Sequence, residues 1–396
     1  MGRKINTEQD VAEKISTVLQ NKRKRHARRR LLGRSFKFVS IISFVILTFV
    51  VIYRYKDEMS IDKLKQSFLV TEEYGGLSRL SSLSDTTARY AVLGDGLAVA
   101  TTESVQYAPR HGDGFRLDVT LKKPGITGGG QAVLAFDGGG SQLISAHTSG
   151  ILGQSKAGGK ILTAYQNDTG YASVIWEEQG YKSSVAAYDK YLKQLYLWHT
   201  PDYYALAASV SENGKTMAVA AVTSGEQGDI SGHLLFFALD KEGFLRSVPL
   251  GNTLPVAVRA FEGGFMLVSD RNVRSFDNNG EPKGTFSLEE GVALRGFCQC
   301  KGAMFLWLEN TKVSTKYSIV SLNEEAALSG KIETGRDIKS MTARDNTVAL
   351  LIGDDVQMYT DMKMDKVISG RSGVTQVFLL SNLTPVLMTG QDVFIP

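Results

Sequence analysis

The residue types best suited to chemistry are scattered along the 396-residue chain, without the spacings that metal binding or catalysis requires. The five histidines form neither an HxH nor an HxxxH pair, so their spacing favours no metal site. They are His26, His111, His147, His199 and His233. From the sequence we therefore assign no catalytic, cofactor-binding or metal-binding residue and expect no cofactor.

Two short segments resemble catalytic motifs only in part. Gly214-Lys215-Thr216 ends like a phosphate-binding loop, but Ser209 stands where that loop needs its first glycine, and no helix is expected to follow. We interpret it as a hairpin turn. The segment 153–157, GQSKA, is close to a nucleophile elbow but lacks its final glycine.

Paired acids, cysteines and tryptophans have structural interpretations. Adjacent acids point to opposite faces of a strand or lie in solvated turns, and four such pairs occur, Glu177-Glu178, Glu289-Glu290, Glu324-Glu325 and Asp354-Asp355. Cys298 and Cys300 share a strand face at a spacing poorly suited to a disulfide, so we interpret them as buried thiols, with a strained redox pair as the alternative. The core is expected to contain Trp176, Trp198 and Trp307.

The net charge of +4 averages two opposed parts of the chain. Residues 1–56 carry 14 basic and 3 acidic side chains (+11), which leaves 31 basic and 38 acidic side chains (−7) for residues 57–396. An acidic balance disfavours a nucleic-acid partner for the larger part.

An uncharged run from Phe38 to Tyr53, extended by flanking residues, predicts a single transmembrane helix. It lacks a small-residue cleavage site and is interpreted as an uncleaved signal anchor at the cell membrane. The positive-inside rule places the N-terminus in the cytoplasm and the rest outside the membrane. Nine basic residues fix this topology and are expected to contact anionic lipid headgroups: Lys22, Arg23, Lys24, Arg25, Arg28, Arg29, Arg30, Arg34 and Lys37.

The sequence therefore predicts four segments. Residues 1–35 form a basic cytoplasmic tail with a short amphipathic helix, and residues 36–56 form the membrane anchor. Residues 57–76 form a stalk or linker with helical spacing of apolar residues, and residues 77–396 form an extracytoplasmic domain.

A repeat dominates the extracytoplasmic domain. Short apolar strands separated by glycine, asparagine and aspartate turns recur, and the leading strand of each unit starts near residues 88, 126, 161, 204, 254, 292, 338 and 374. The mean spacing is about 41 residues, which is typical of a four-stranded β-propeller blade. The predicted fold is all-β, an eight-bladed propeller with seven blades as the alternative. Its final unit holds three strands, so a strand near Leu77–Ser84 is expected to complete that blade and close the ring.

The segment SVSENGKTMAVAAV at 209–222 resembles the Ser-Pro-Asp-Gly-Lys turn and following strand of bacterial WD40-like and lactonase-like propellers. Glu212 and Asn213 replace the Pro and Asp of that turn. The layout of basic tail, single span and propeller also resembles an uncharacterised family of membrane-anchored propellers from Gram-positive bacteria. That resemblance implies a location and a fold and supplies no activity.

These features favour a non-catalytic binding or scaffolding module at the cell envelope, which engages an envelope protein or a glycan through its blade-connecting loops. Two alternatives stay open. One is a propeller hydrolase or lactonase of polar extracellular substrates, which requires acids, histidines or asparagines converging at the channel. The other is a ligand sensor with output through the cytoplasmic tail.

Overall fold

The structure is a computed structural model that describes residues 72–75, 87–224, 229–312, 316–369, 372–389 and 393–395. The chain divides into two compact units, Met1–Leu64 and Lys65–Pro396, and all of the described residues belong to the second. Those residues form 32 strands in eight antiparallel sheets, each built from consecutive strands apart from one added edge strand. The expected eight-bladed, all-β propeller is confirmed.

The first four blades share one strand order. Blade 1 consists of β1 (Glu72–Gly75), β2 (Arg89–Leu93), β3 (Gly96–Ala100), β4 (Ser104–Pro109) and β5 (Asp113–Asp118). Blade 2 consists of β6 (Pro124–Gly128), β7 (Val133–Asp137), β8 (Gln142–His147) and β9 (Gly150–Lys156). Blade 3 consists of β10 (Lys160–Gln166), β11 (Ala172–Glu177), β12 (Ser183–Tyr188) and β13 (Gln194–Thr200). Blade 4 consists of β14 (Tyr204–Val210), β15 (Thr216–Ser224), β16 (Ile230–Ala238) and β17 (Arg246–Gly251).

The last four blades repeat this order. Blade 5 consists of β18 (Pro255–Phe261), β19 (Gly264–Ser269), β20 (Asn272–Phe276) and β21 (Pro282–Ser287). Blade 6 consists of β22 (Val292–Cys300), β23 (Ala303–Asn310), β24 (Tyr317–Asn323) and β25 (Leu328–Thr334). Blade 7 consists of β26 (Ile338–Arg344), β27 (Thr347–Ile352), β28 (Asp355–Thr360) and β29 (Lys363–Ser369). Blade 8 consists of β30 (Gln376–Leu379), β31 (Pro385–Met388) and β32 (Val393–Phe394).

The predicted repeat period matches the inner strands closely. These strands, the first of each blade in chain order apart from the added β1, begin at residues 89, 124, 160, 204, 255, 292, 338 and 376, each within two residues of the predicted start. The agreement has a physical cause. The middle strands of a blade lie between two neighbouring blades, so both of their faces are buried and they become the compact apolar runs seen in the sequence. Among them β4, β12, β19 and β27 are buried along their full length.

The chain before blade 1 adds an edge strand to that blade, and the expected completion of blade 8 stays a prediction. The N-terminal strand β1 pairs with β5, the outer strand of blade 1, and it lies within the segment 57–76 that the sequence assigned to a stalk. Residues 77–84, expected to complete blade 8, lie outside the described residues. Blade 8 packs on blade 1 through an apolar cluster that includes Leu97, Val99, Leu380 and Val386.

The basic tail, the predicted membrane anchor and its nine topology-determining basic residues lie outside the described residues. Within the part of the chain that the structure describes, no helix is long and apolar enough to cross a bilayer.

Candidate functional site

The propeller has two unlike faces at the ends of its central channel. We name the face that carries the loops between consecutive blades, together with the loops between the second and third strands of each blade, the connecting face. The other two loops of each blade lie on the opposite face, because its four strands are antiparallel. Each inner strand runs from the connecting face to the opposite face, so its residues line the channel in that order.

Side chains from non-adjacent blades meet inside the channel. The hydroxyl of Tyr165, on β10 of blade 3, donates a hydrogen bond to Oε1 of Gln299, on β22 of blade 6, at 3.2 Å. The Gln299 amide in turn donates to the carbonyl of Ala260 in blade 5 at 2.6 Å. The Arg344 guanidinium of blade 7 reaches the carbonyl of Gly129 in blade 2 at 3.3 Å. We call Tyr165, Arg259, Phe297 and Gln299 the channel plug.

Arg259 occupies the centre of this plug. Its guanidinium carbon lies 4.0 Å from the centre of the Tyr165 ring and 5.2 Å from that of Phe297. Such stacking stabilises a cation against the negative faces of aromatic rings. Burial raises the pKa of the Tyr165 hydroxyl to about 12, although the Arg259 charge opposes this shift. Tyr165 is therefore a neutral hydrogen-bond donor across the physiological pH range.

The connecting-face mouth of the channel is shaped by backbone bulges. Within the described residues, the inner strands of blades 3 to 7 each contain a register shift near the start, which leaves one extra residue without a partner on the neighbouring strand. The five extra residues are Leu162, Leu206, Val256, Arg295 and Lys339. The first three are exposed, Leu162 to 56% and Val256 to 47%.

The two cationic bulge residues have acidic partners. Arg295 pairs with Glu309, which also accepts from Lys316, and Lys339 lies 3.2 Å from Asp354. The mouth is therefore divided between blades. Blades 3 to 5 present apolar side chains to solvent, whereas blades 6 and 7 present neutralised ion pairs.

More apolar side chains extend the exposed patch over the connecting face of blades 3 to 5. Together with the three apolar bulge residues they form what we call the apolar patch, whose further members are Tyr181, Tyr204, Ile230 and Leu254. Seven of the thirteen large apolar residues that are exposed in the described part of the chain thus lie on one face of three adjacent blades. Exposed apolar side chains gathered on one face in this way are typical of a protein-binding site.

The opposite-face mouth is acidic and tightly hydrogen-bonded. The buried side chain of Asn167 donates to the carbonyls of Val210 and Ser211 and accepts from the backbone N–H of Tyr171 at 2.9 Å. Thr169 Oγ1 donates to the carbonyl of Glu212 at 2.9 Å. These bonds join the inner turns of blades 3 and 4 and hold Asp168 and Glu212 at the mouth.

Charge gathers at this mouth. Partial desolvation raises the pKa of Glu212, and the nearby charges of Asp168, Glu262 and Glu324 raise it further, while Lys301 opposes them. Desolvation also raises the pKa of Asp168, against the effect of Arg344. The acids nevertheless stay apart, since in the described residues no three His, Cys, Asp or Glu side chains are placed to hold a metal ion.

The glycine-containing turn singled out in the sequence lies at this mouth. Gly214 is in the turn between β14 and β15, as expected for a hairpin, and has a φ of +68°. A Cβ at this position would lie 2.3 Å from the Tyr171 ring, so both conformation and space require glycine. The Ser211 hydroxyl and the Asn213 carboxamide accept backbone N–H bonds inside the turn. The segment shapes the protein and has no phosphate-binding geometry.

One cluster brings serine, histidine and glutamate together on the connecting face of blade 3. Ser184 Oγ lies 2.6 Å from Glu178 Oε2 and 2.8 Å from His199 Nδ1, and that same nitrogen lies 3.1 Å from the carboxylate. A catalytic relay needs the serine and the acid on different imidazole nitrogens. Here both contact Nδ1, and Ser184 is fully buried, so the hydroxyl is not presented as a nucleophile.

The same cluster stabilises an ionised carboxylate. Hydrogen bonds from Ser184 and Trp176 and the proximity of His199 lower the pKa of Glu178, against a smaller effect of desolvation. The Tyr181 ring stacks on the imidazole at a centroid distance of 4.8 Å. These contacts fix a loop that carries part of the apolar patch.

The other residues considered in the sequence lie where strands and turns place them. Trp176 is 2% exposed, Trp198 is half-buried beside the exposed Phe244, and Trp307 is half-buried on β23. Cys298 and Cys300 are free, and desolvation raises the pKa of both thiols, that of Cys300 to about 12. The four acid pairs lie at strand ends and turns. Of the four described histidines, only His199 contacts an acid.

Sequence reasoning missed the channel plug and the bulges. The plug joins residues 134 positions apart, and no local pattern signals that contact. A weak signal for the bulges existed in ILTA, ALAA and PVAV, where an apolar residue stands at an alternating position expected to be polar.

Comparison with known proteins agrees with the fold. The chain is similar to Saccharomyces cerevisiae Sqt1, with 10% identity, a TM-score of 0.54, and coverage of 77% of this chain and 94% of that one. It is also similar to the C-terminal WD40 domain of Sif2, with 9% identity, a TM-score of 0.52, and coverage of 83% and 96%. BamB from Moraxella catarrhalis has 13% identity, a TM-score of 0.49, and coverage of 78% and 95%. At these identities the likeness shows the fold alone.

No curated protein sequence matches the chain. A family model does match it over residues 70–391, under the description "Family of unknown function (DUF5711)". Because that match spans most of the chain, the protein belongs to this family, which confirms the expected propeller family without an assigned activity.

Proposed function

We propose that this member of the DUF5711 family is a non-catalytic binding or scaffolding propeller, anchored in the cell membrane, that captures an envelope protein on the connecting face of blades 3 to 5. The proposal includes a cytoplasmic N-terminus, a single span at residues 36–56 and an extracytoplasmic propeller, in the layout expected for a Gram-positive cell.

The apolar patch is the observation that carries the binding role. Leu162, Leu206 and Val256 are the extra residues of three successive bulges, so the backbone itself places them outside the strand pairing and in solvent. Removing such side chains from water on binding contributes about 25 cal/mol for each Å² of apolar surface buried. The ion pairs of Arg295 and Lys339 border the patch, and an apolar centre with a polar rim is typical of protein interfaces.

The membrane location is supported by the sequence. The +11 charge of residues 1–56 precedes and flanks one uncharged run, and the domain that follows carries −7. This asymmetry favours the retention of the basic tail on the cytoplasmic side. Neither the hydrolase nor the sensor alternative is favoured by a contact among the described residues.

Site-specific photo-crosslinking in living cells tests the binding role. A photoreactive phenylalanine analogue in place of Leu162 or Leu254 is expected to form a crosslink to one discrete protein. Leu197 provides the matched control, since it is 38% exposed on the outer strand of the same blade as Leu162. The proposal would be contradicted if the analogue at Leu197 crosslinked the same protein. It would also be contradicted if neither Leu162 nor Leu254 gave a crosslink.

Cysteine labelling of intact cells tests the location separately. A membrane-impermeant maleimide is expected to label Asn279→Cys, in an exposed turn of blade 5, and to label Thr7→Cys only after lysis. The native thiols give low background, because burial keeps Cys298 and Cys300 protonated at neutral pH. Labelling of Thr7→Cys in intact cells would reverse the proposed topology.

A further inference from the structure

Arg259 is a half-buried cation without a counter-charge in the part of the chain that the structure describes. One of its nitrogens, Nη1, donates to the backbone carbonyl of Val258 at 2.8 Å, and the guanidinium stacks against Tyr165 and Phe297. No carboxylate among the described residues lies within 4.0 Å of it, whereas Arg116, Arg246 and Arg295 all have one. Desolvation lowers the pKa of Arg259, as expected for a charge removed from water.

Burying a charge without a partner is costly, so a compensating ligand is expected where the surroundings leave room for one. The two aromatic rings cover faces of the guanidinium. Its planar edge carries five N–H donors, of which the carbonyl of Val258 accepts one. That edge is suited to a second planar group with two acceptor oxygens.

A cavity of about 310 Å³ adjoins Arg259. Its lining includes the apolar side chains of Ile126, Leu206 and Val256, while Thr127 and Thr163 contribute hydroxyl groups. Leu206 and Val256, two of the bulge residues of the connecting-face mouth, thus also line the cavity. The site combines one cation with an apolar wall, which is the usual composition of a pocket for a small organic ligand.

We propose that this cavity binds a small organic monocarboxylate with an apolar body, its carboxylate held by Arg259 and its body against Ile126, Leu206 and Val256. A single cation matches one negative charge better than the two of a phosphate monoester. The same chemistry is offered by a free organic acid and by the C-terminal carboxylate of an apolar peptide, so the experiment separates these sources.

The first measurement uses the full-length wild-type protein in detergent. Thermal unfolding and calorimetric titration compare acetate, butanoate and hexanoate with hexanamide and inorganic phosphate. We expect the melting temperature to rise progressively from acetate to hexanoate, with no rise for hexanamide or phosphate. A tripeptide ending in leucine is tested as the free acid and as the C-terminal amide. Stronger stabilisation by the tripeptide acid than by hexanoate would identify a peptide C-terminus as the ligand, and the reverse would identify a free organic acid.

The second measurement uses variants. Arg259→Met is expected to weaken hexanoate binding at least about tenfold, as for loss of a charge-assisted hydrogen bond. Arg259→Lys keeps the charge without the planar fork and is expected to be intermediate. Arg274→Met is the matched control, because Arg274 also stacks on an aromatic ring in blade 5, that of Phe276 at 5.5 Å, on a different strand from the inner β18.

Two results would overturn the site. One is the absence of any melting-temperature change with every carboxylate. The other is equal stabilisation of wild type and Arg259→Met, which would place binding elsewhere. Because neither Leu162 nor Leu254 lines the cavity, the crosslinking experiment can fail while carboxylate binding succeeds, and the reverse.

Discussion

The two mouths of the channel are built from the same inner strands but differ in what those strands present to solvent. At the connecting face, bulges place Leu162, Leu206 and Val256 in solvent with no partner residue on the neighbouring strand. At the opposite face, Asn167 binds two neighbouring turns together, and the acids Asp168, Glu212 and Glu262 gather near Lys301. The difference shows that one end of the molecule presents apolar side chains to solvent, whereas the other is held by hydrogen bonds and carries charge. The channel plug lies between them.

Four variants test this comparison, and the largest effect is expected in the plug. Tyr165→Ala removes the ring on which Arg259 stacks and the bond to Gln299, and should cost about 4 kcal/mol of stability. For a domain of this size that corresponds to a fall of about 5 °C in melting temperature. Tyr165→Phe keeps the ring and should cost about 1 kcal/mol. Equal effects of the two variants would show that the ring does not join the blades.

The next largest effect is expected at the opposite face. Asn167→Ala leaves the carbonyls of Val210 and Ser211 and the N–H of Tyr171 without their partner, and should cost about 3 kcal/mol in thermal or denaturant unfolding. Asn382→Ala is the matched control. It lies in the corresponding turn of blade 8 but is exposed, so its loss should cost less than about 0.5 kcal/mol. Equal losses of stability for Asn167→Ala and Asn382→Ala would show that the Asn167 hydrogen bonds do not stabilise the opposite-face mouth.

The lowered pKa of Glu178, on the connecting face, predicts that the stability of the protein depends on pH. Its pKa in the folded chain lies below the ordinary 4.5, so its stabilising effect is complete above about pH 4.5 and is lost as pH falls through the folded-state pKa. Glu178→Gln should reduce stability at pH 7 by about 1 kcal/mol, a modest value because the carboxylate is partly exposed. The difference from wild type should shrink on acidification. Glu177→Gln, the exposed neighbour, should change stability little at either pH.

The raised pKa of Glu212 predicts the smallest effect on stability, and its dependence on pH is opposite to that of Glu178. The folded-state pKa of Glu212 is raised, so the protonated group contributes stability below about pH 4.5 that is lost as pH rises through the raised pKa. Glu212→Gln should therefore be more stable than wild type at pH 7, by about 1 °C in melting temperature, and equal to it at pH 4. Glu103→Gln, in an exposed loop of blade 1, is the control. A lower melting temperature for Glu212→Gln at pH 7 would show that the acids at this mouth do not repel one another.

Much of the fold could be predicted from the sequence because each blade is built from strands that are consecutive in the chain. Its strands follow one another along the chain, and its buried middle strands are the apolar runs, so the repeat period located every inner strand within two residues. The hairpin at Gly214 was predictable for the same reason, since its glycine, serine and asparagine act within one turn. The residues of the closing contact were not predictable, because the packing of blade 8 on blade 1 joins side chains from the two ends of the domain.

The candidate sites were beyond sequence reasoning for two reasons. A bulge depends on a one-residue difference in register between paired strands, and residues such as Leu162 look like ordinary core residues until that register is known. The plug and the cavity depend on which blades face one another across the ring. Arg259 meets Tyr165 and Phe297 from two other blades, one of them 94 positions away in the chain.

The sequence by itself determined the all-β repeat, its period and the lack of a recognisable catalytic motif, because each is encoded in composition or in contacts between neighbouring residues. Only the tertiary structure decided which side chains converge. Closing eight sheets into a ring brings inner strands from distant parts of the chain around one axis, and that geometry, rather than any local pattern, produces an apolar mouth, an acidic mouth and a half-buried arginine between them.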